Sequence, residues 1–354
     1  MVTELKKLPL RYNYSEFITS LSKTNYYLGK LDAIFTKVRN ADVFIKPLYI
    51  REATLSSQIE GIHSSIYDVY LYNTSEQTKY DDVKDIINYC KALEYTQKTL
   101  KYNHIDLGYI KNIYHILIHG NTDFNKYNDD FRKIQNWIGL PKTTVKDALY
   151  IPPSPKQVIS LMKNLEKYIN YTREDIIIQS ALIHSQFECI HPFIDGNGRI
   201  GRILIPAFLY SRKIISYPII CISEYFEKHR RYYYHVLNNI TKKNDTVSWI
   251  KFYIDSIYYG SIKTQDIIFK LSLLYNKIKW QIINYKSPYS IQFLDFIFKN
   301  PIFVSRKVGN DLQLNKVTVN RLIKMFINLK ILKSMNRKRD NLYIFKELLT
   351  IIQS

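Results

Sequence analysis

The chain has 354 residues, of which 46% are hydrophobic and 23% charged, with only 10 glycines and 11 prolines. This composition excludes a disordered or collagen-like chain, and so few turn-forming residues argue against a β-sandwich or β-barrel. The net charge of +20, from 51 Lys and Arg against 31 Asp and Glu, favours polyanionic partners, unless it merely reflects a composition rich in Lys, Ile, Asn and Tyr.

The first hundred residues carry apolar side chains at helical spacing. This period is visible over residues 28–38 and again over 83–90. Residues 106–120 predict a further helix, because the apolar period there ends at a glycine, a favoured residue at helix C-termini. The first third of the chain is therefore expected to be helical.

The segment from 136 to 155 departs from the helical pattern. Residues that favour β-structure flank a polar centre at 141–144, and Pro152 and Pro153 close the segment. Extended flanks around a polar centre are typical of an exposed hairpin. We therefore expect a small β-hairpin flap on an otherwise helical protein.

Helices resume after the flap. Residues 173–190 predict a helix that ends at His191, because Pro192 disfavours the α conformation in the residue before it. A loop with two glycines follows at 195–198, and then a helix over 199–212. Three more helices are expected further along, near 223–240, over 247–258 and over 261–290.

The last 64 residues predict a small separate module with 12 Lys and Arg against 4 Asp and Glu. Its order is a helix, a short helix, a longer helix from Asn315 and two β-favouring stretches around a basic tip at 337–341, which resembles a winged helix-turn-helix. Such modules bind DNA or serve as protein-docking and dimer units, so both uses stay open. In the DNA-binding case, four residues of the longer helix would face outward, namely Thr318, Asn320, Arg321 and Lys324.

The residues with the most chemical content lie in the stretch 191–202. Its two loop glycines precede a helix, whose N-terminal N–H groups favour an anion. Arg199 and Arg202 share a helix face and place two guanidinium groups above that anion. Asp195 supplies a hard oxygen ligand suited to Mg²⁺, and His191 is a candidate general base because it titrates near neutral pH. Together these residues predict a phosphate-transfer site.

Two other interpretations of this stretch are less favourable. The glycines at 196, 198 and 201 match the dinucleotide-binding pattern, but that pattern requires a preceding strand, and the residues before it have a helical period. His191 and Asp195 are spaced as two transition-metal ligands would be, but no third His or Cys lies nearby.

Cysteine usage and hydropathy bear on the compartment. Cys90, Cys189 and Cys221 lie far apart and form neither a disulfide framework nor a paired metal motif, which favours a reducing environment. No signal-peptide core is visible at the N-terminus, and no apolar stretch approaches the ~20 residues of a membrane span. We expect a soluble, cytoplasmic protein.

Residues 191–202, HPFIDGNGRIGR, resemble the signature of the Fic family, HPFxDGNGRxxR, and match it at every specified position. The resemblance extends over roughly 106–258. It implies an all-α Fic helical bundle that transfers AMP from ATP to a hydroxyl of a target protein, with Mg²⁺ as cofactor. Gly198 stands where the related Doc-type kinases have Lys, which favours the AMP-transferring orientation of the nucleotide.

The same resemblance implies roles for individual residues. His191 is the catalytic base and Asp195 the metal ligand. The implied ATP-binding residues are Gly196, Asn197, Gly198, Arg199, Arg202 and Tyr233. The flap resembles the family's target-docking hairpin, through Ile138, Gly139 and Tyr150.

A second motif lies far upstream. Ser56-Ser-Gln-Ile-Glu60-Gly61 resembles the S/T-x-x-x-E-G/N inhibitory motif of Fic proteins. The resemblance implies that the Glu60 carboxylate mimics a phosphate oxygen and pairs with Arg202, which would deny the γ-phosphate its cation.

The predicted function is AMP transfer to Tyr, Ser or Thr of target proteins, autoinhibited by Glu60, with self-modification as a further expectation because Tyr is so frequent. The alternative is a DNA-binding regulator whose Fic core only senses nucleotide. Expected partners are ATP and a target protein, and DNA bound by the C-terminal module and a second copy of the chain stay open as further partners. The predicted domains are an N-terminal region with the inhibitory helix (1–105), the catalytic core (106–258), a linker helix (259–289) and the winged-helix module (290–354).

Overall fold

The computed structural model describes residues 2–38, 40–74, 81–120, 130–139, 144–171, 173–283, 285, 287–335 and 341–354. This part of the chain is mostly α-helical and contains one small β-sheet, which confirms the predicted fold class. None of its helices combines the length and the apolar character that crossing a bilayer requires.

The N-terminal part contains the helix that carries the predicted inhibitory motif. Its helices are α1 (Ile18–Lys37), α2 (Ala41–Ile59), α3 (Ile66–Tyr72) and α4 (Asp81–Thr99). Helix α2 is buried on most of its surface and includes two buried charges. Arg51 Nη2 lies 2.8 Å from Glu224 Oε2, and Glu52 accepts a hydrogen bond from Ser223 Oγ at 2.5 Å. These contacts fasten α2 to the segment around residues 223–224.

The central helices surround the predicted active site. They are α5 (Leu107–His119), α6 (Pro155–Ile169), α7 (Ile176–Ile190), α8 (Asn197–Ser211), α9 (Ser223–Lys228) and α10 (Arg230–Lys243). Helix α5 ends at Gly120 in the left-handed conformation, as predicted. Helix α6 was not predicted, although Pro155 at its start and a capping box formed by Ser154 and Gln157 are recognisable start signals. The predicted helix at 223–240 is interrupted at His229.

The long helix α11 (Thr246–Ile282) corrects one prediction. It has 37 residues and joins the two helices predicted over 247–258 and 261–290, so the predicted domain boundary at 258 falls inside a helix. Gly260 does not interrupt it. A Cβ at this position would lie 3.2 Å from the Cys221 carbonyl oxygen, so the glycine allows close packing within the helix.

The C-terminal part follows the predicted order of helices. Its elements are α12 (Ser290–Lys299), β1 (Ile302–Val304), α13 (Ser305–Leu312), α14 (Lys316–Asn328), β2 (Lys333–Met335), β3 (Leu342–Ile344) and α15 (Lys346–Gln353). The strands form an antiparallel sheet in the order β1-β3-β2. Residues 337–340 of the predicted basic tip lie outside the described residues. Lys46 of α2 donates a hydrogen bond to Asn300 Oδ1 at 3.1 Å and links this part to α2.

Candidate active site

His191 lies at the junction between α7 and the loop that leads into α8. Its backbone is left-handed, with φ of 50° and ψ of 61°, and its N–H donates to the Phe187 carbonyl at 3.0 Å. Pro192 follows, so α7 ends where the sequence predicts. A non-glycine residue in this conformation is uncommon, and such residues cluster at functional sites.

The imidazole of His191 is neutral at physiological pH. Burial lowers its pKa to about 4, although the Glu188 carbonyl and the Glu60 carboxylate oppose this shift. Its Nδ1 makes no hydrogen bond of normal geometry with any described residue. Arg132 Nε donates to the His191 carbonyl at 2.8 Å and holds the main chain in place. A neutral imidazole with an unused ring nitrogen is able to accept a proton.

The side chain of Asn197 closes the loop that follows His191. Its Oδ1 accepts a hydrogen bond from the Phe193 N–H at 2.8 Å, and its Nδ2 donates to the Phe193 carbonyl at 2.9 Å. The buried Phe193 ring stacks on Tyr114 of α5, with centroids 4.0 Å apart. Both functions of the Asn197 amide are thus used within the loop, which leaves its backbone N–H as the group available to a phosphate.

The N-terminus of α8 has the geometry of an anion site. Gly196 is its N-cap, with a φ of +75° that favours glycine. The N–H groups of the first turn have no acceptor within the helix, and the helix dipole adds partial positive charge there. An anion such as a phosphate is stabilised in this position. The structure thus places Gly196–Gly198 at a helix N-terminus, where the cradle is predicted.

Arg199 lies on the first turn of α8, and only 6% of its side chain is exposed. Its Nη1 lies 3.1 Å from Asp85 Oδ2 on α4, and its Nη2 lies 3.7 Å from Asp195 Oδ2. Burial raises the pKa of Asp85, while Arg199 opposes the rise. The structure thus brings together the predicted phosphate and metal ligands, and adds a carboxylate with which a phosphate must compete for Arg199.

Asp195 fits one kind of metal site and not another. Its side chain is 79% exposed beside the anion cradle. Mg²⁺ commonly binds through one carboxylate together with substrate phosphates and water. The described residues contain no group of three or more His, Cys, Asp and Glu side chains that could hold a metal. The donors therefore suit an Mg²⁺ that arrives with a nucleotide rather than one held by the protein alone.

Arg202, on the next turn of α8, faces the C-terminal end of α2. Its Nε donates to Ser56 Oγ at 2.7 Å, and its Nη2 donates to the Ser56 carbonyl at 2.9 Å and to Glu60 Oε1 at 2.6 Å. Burial acts to raise the pKa of Glu60, but the charge and hydrogen bond of Arg202 lower it overall. Gly61, with φ of +87°, ends this segment. The predicted contact between Glu60 and Arg202 is present.

Two glycines leave one face of α8 bare beside Arg202. A Cβ at Gly198 would lie 2.3 Å from Glu60 Oε1 and 3.0 Å from Arg202 Nη1. A Cβ at Gly201 would lie 2.2 Å from Glu188 Oε1. Because residues three apart share a helix face, the two carboxyl groups occupy neighbouring positions on α8.

A cleft of about 630 Å³ opens between the end of α2, α7, α10 and the flap. It brings together five residues predicted from distant motifs: Glu60, Gly61, Ile138, Gly139 and Tyr150. The two halves of the predicted site, inhibitory motif and flap, therefore face one cavity.

The flap is smaller than predicted within the described residues. Ile138 N–H donates to the Tyr150 carbonyl at 2.9 Å, and Tyr150 N–H donates to the Ile138 carbonyl at 3.1 Å, which makes an isolated antiparallel bridge. The Tyr150 hydroxyl donates to the Cys189 carbonyl at 2.8 Å and anchors the flap on α7. Residues 145–147 form a short 3-10 turn, and residues 140–143 lie outside the described residues.

Tyr233, which is predicted to bind ATP, lies in the core. It is 1% exposed, its ring stacks on Phe226, and its hydroxyl lies 2.9 Å from His184 Nε2 in the core. Neighbouring residues on a helix point to different faces, so Tyr234 lines the cleft instead, next to Arg230.

Sequence reasoning also missed Glu188, Asp85 and Arg132. Glu188 lies three residues before His191 on the same helix, a spacing from which its proximity could have been predicted. Asp85 and Arg132 reach the site from α4 and from the segment before the flap, and no local pattern connects them with residues 191–202.

Comparison with known proteins agrees with this arrangement. The family model described as Fic/DOC family matches residues 104–209, and the model described as Fic/DOC family N-terminal matches residues 18–98. Together the two models cover more than half of the chain. The chain belongs to the Fic/DOC family.

The individual relatives share low sequence identity with this chain, and the curated ones match only part of it. The protein adenylyltransferase Fic of Drosophila grimshawi is 30% identical over 129 residues, which are 36% of this chain and 23% of that protein. The protein of the same name from Culex quinquefasciatus is 26% identical over 244 residues, or 66% of this chain and 45% of that protein. The chain thus spans less than half the length of these relatives. A Fic family protein from Desulfovibrio desulfuricans G20 shares the fold, with a TM-score of 0.60, 15% identity, and coverage of 96% of this chain and 98% of that one.

Proposed function

We propose that this protein transfers AMP from ATP to the hydroxyl group of a Tyr, Ser or Thr side chain in a target protein. The observation that carries the proposal is the position of the neutral His191 imidazole next to the N-terminus of α8, with Arg202 one turn further along. Family membership and the names of the two insect relatives support it.

In this reaction His191 accepts the proton of the target hydroxyl. The hydroxyl oxygen forms a bond to the α-phosphorus of ATP as the bond to the bridging oxygen breaks, and pyrophosphate leaves. The N–H groups at the start of α8, from Asn197 to Arg199, stabilise charge that develops on the phosphate oxygens. An Mg²⁺ ion bound through Asp195 would neutralise phosphate charge in the same place.

The contact between Glu60 and Arg202 supports autoinhibition. Glu60 Oε1 lies 2.6 Å from Nη2 of Arg202, and the Arg202 side chain is 1% exposed. A terminal phosphate that needs the same guanidinium has to displace the carboxylate first, because a charge-assisted pair of this kind is strong when sheltered. Productive ATP binding is therefore weakened in the resting protein.

The flap is suited to aligning a target segment. Ile138 and Tyr150 hold it beside the cleft through their backbone bridge, and an extended peptide that adds to its free edge would gain backbone hydrogen bonds without a fixed side-chain sequence. This mode of docking fits targets presented on loops, including tyrosines of a second copy of this chain.

The proposal is tested by incubating the purified Glu60→Gly protein, with and without cell lysate, with Mg²⁺ and ATP labelled on the α-phosphate. We expect covalent label and a mass increase of one AMP on the protein itself or on lysate proteins. The matched control carries His191→Ala in addition and should remain unlabelled. Label from the γ-phosphate instead would indicate a kinase, and no label from either position would contradict the proposal.

The alternative function, a DNA-binding regulator with a nucleotide-sensing core, is favoured by α14. Asn320, Arg321 and Lys324 are exposed on that helix, along a groove that also contains Tyr285. Electrophoretic mobility shifts over a range of salt concentrations test it, with Arg321→Ala plus Lys324→Ala as the control protein. Loss of retention in this variant supports the alternative, and equal retention by both proteins contradicts it.

A cytoplasmic location and a homodimer complete the proposal. Cys90, Cys189 and Cys221 are free thiols, which agrees with a reducing compartment. Cell fractionation tests the location, and light scattering after size-exclusion chromatography tests the dimer.

A further inference from the structure

Glu188 is a half-buried residue to which the proposed reaction assigns no role. It lies on α7, three residues before His191, and lines the cleft. Its Oε1 is buried and has no hydrogen-bond partner among the residues that the structure describes. Burial of a polar atom without a partner costs free energy, so such an atom in a ligand cleft points to a contact made when the ligand is bound.

The fold makes space for this carboxyl group. At Gly201, any larger residue would place its Cβ 2.2 Å from Glu188 Oε1 and 3.3 Å from His184 Cε1. Glu60 occupies the corresponding space over Gly198, one turn earlier on α8, beside Arg202 Nη1. A phosphate that replaces Glu60 on Arg202 therefore arrives next to Glu188.

The two carboxyl groups differ in charge. Arg202 keeps Glu60 ionised, whereas burial, assisted by the charge of Glu60, raises the pKa of Glu188 to about 8 despite the opposing effect of Arg202. Glu188 therefore carries a proton at neutral pH. An ionised Glu188 would repel a phosphate, while its protonated form has an O–H to donate.

Several titratable groups around Glu188 keep one charge state between pH 7 and 9. Glu52, which also interacts with Arg202, differs from them because burial raises its pKa to about 7. His184 and His191 on α7 are neutral, with pKa values lowered by burial to about 3 and about 4. Burial raises the pKa of Cys189 and of Tyr234 to about 12 and that of Tyr233 well above its usual value, so these stay protonated. Arg202 stays cationic and Glu60 stays anionic, and Arg230 and Arg231 of α10 also line the cleft.

We propose that the Glu188 carboxyl group, in its protonated form, donates a hydrogen bond to the terminal phosphate of ATP beside Arg202. This inference rests on the proposed function, because it takes ATP as the ligand of the cleft. It makes Glu188 a phosphate-binding residue that also limits nucleotide binding to the pH range in which the proton is retained.

The test measures nucleotide affinity by isothermal titration calorimetry at pH 7 and pH 9, with Mg²⁺, on the Glu60→Gly protein. We expect the affinity for ATP to fall at least about tenfold between these values. A pKa of about 8 gives a tenfold fall in the binding-competent protonated fraction, and loss of the Glu60 charge, which raises this pKa, makes the fall larger. AMP, which lacks the γ-phosphate of ATP, should bind with the same affinity at both pH values. Addition of Glu188→Gln, which keeps an N–H donor and cannot ionise, should reduce the change for ATP to less than about twofold.

Equal ATP affinity at pH 7 and pH 9 in the Glu60→Gly protein would overturn the inference, and this comparison needs no Glu188 variant. The same tenfold fall in the Glu188→Gln protein, or for AMP, would also overturn it. If ATP binds with the expected pH dependence but no AMP is transferred to any protein, the proposed function fails and the phosphate contact stands. If ATP does not bind at either pH, both fail.

Discussion

Ser56 accepts two hydrogen bonds from the guanidinium of Arg202, one at its hydroxyl Oγ and one at its backbone carbonyl, at 2.7 and 2.9 Å. Glu60, one helical turn further along, accepts a third at 2.6 Å. A single turn of α2 therefore binds a buried cation that lies 146 residues away from Ser56 in the chain. The contribution of each acceptor can be separated by substitution.

Glu60→Gly should raise AMP transfer roughly tenfold or more, because a hydrogen bond between charged groups contributes about 1.5–3 kcal/mol and about 1.4 kcal/mol corresponds to tenfold. The free energy of unfolding should fall by about 1.5–3 kcal/mol, because the buried Arg202 loses the same charged hydrogen bond in the folded state. Transfer is measured as AMP incorporation at equal Mg²⁺ and ATP. Arg202→Ala should abolish the gain in the double variant, and equal labelling by wild type and Glu60→Gly would contradict autoinhibition.

Ser56→Ala should raise AMP transfer several-fold, which is less than the rise expected for Glu60→Gly. It removes one acceptor of Arg202 and leaves the Ser56 backbone carbonyl in place. Ser57 provides the matched control, since its buried Oγ has no hydrogen-bond partner among the described residues. Ser57→Ala should leave AMP incorporation within about twofold of wild type, because this substitution removes no hydrogen bond. A similar gain in both variants would indicate general loosening of α2 and not a specific contact with Arg202.

His191→Ala should reduce transfer by roughly 10²–10⁴, the usual contribution of a general base, while ATP affinity changes little. The imidazole acts on the incoming hydroxyl group and not on the phosphates, so binding and turnover should separate. Calorimetry with ATP and a single-turnover labelling assay measure the two quantities. A variant with turnover within a few-fold of wild type would exclude His191 as the base.

The pH dependence of transfer tests the environment of His191. Because burial lowers its pKa to about 4, the imidazole stays unprotonated as the pH falls from 7 to 5.5, and loses its ability to accept a proton only near pH 4. We therefore expect that kcat/KM of the Glu60→Gly protein does not fall with a midpoint near pH 6.5. A loss of kcat/KM with a midpoint near pH 6.5 would contradict this expectation. If that loss disappears when another base replaces His191 in the Glu60→Gly protein, His191 lies in an exposed environment.

Asp195→Asn should weaken transfer and raise the Mg²⁺ concentration needed for half-maximal rate, because it removes the charge of the exposed metal-binding candidate. Partial rescue at high Mg²⁺ is expected. Gly196 is the N-cap of α8, so loss of a helix cap does not account for such an effect. If the Mg²⁺ dependence is unchanged, Asp195 serves only as a partner of Arg199.

The site residues that could be predicted from sequence are those held by local geometry. His191 ends a helix because a proline follows, and Arg199 and Arg202 share a face because they lie three residues apart. The contact of Glu60 with Arg202 was predicted from family resemblance alone, since no local rule joins residues 142 positions apart.

Two features depend on packing that the sequence does not specify. Separate helices are predicted over 247–258 and 261–290, but α11 continues through Gly260 because the small residue lets the segment at Cys221 approach. Tyr233 lies in the core, whereas Tyr234, one residue further along the helix, lies at the cleft, and a role of Tyr233 in ATP binding stays a prediction. Propensity and spacing do not determine which of two adjacent faces the tertiary structure covers.

The attachment of α2 determines how fast the inhibitory contact opens. Arg51 and Glu52 fasten this helix to Glu224 and Ser223, so the contact opens at the Glu60 side chain while the helix stays in place. Rotation of the Glu60 side chain, which is 35% exposed, removes its carboxylate from Arg202 and leaves the two Ser56 contacts in place. Such rotations take picoseconds to nanoseconds, whereas collective helix displacements take microseconds to milliseconds. Nucleotide therefore meets a rapid equilibrium at Arg202, and the resting protein retains a basal rate set by the occupancy of the rotated state.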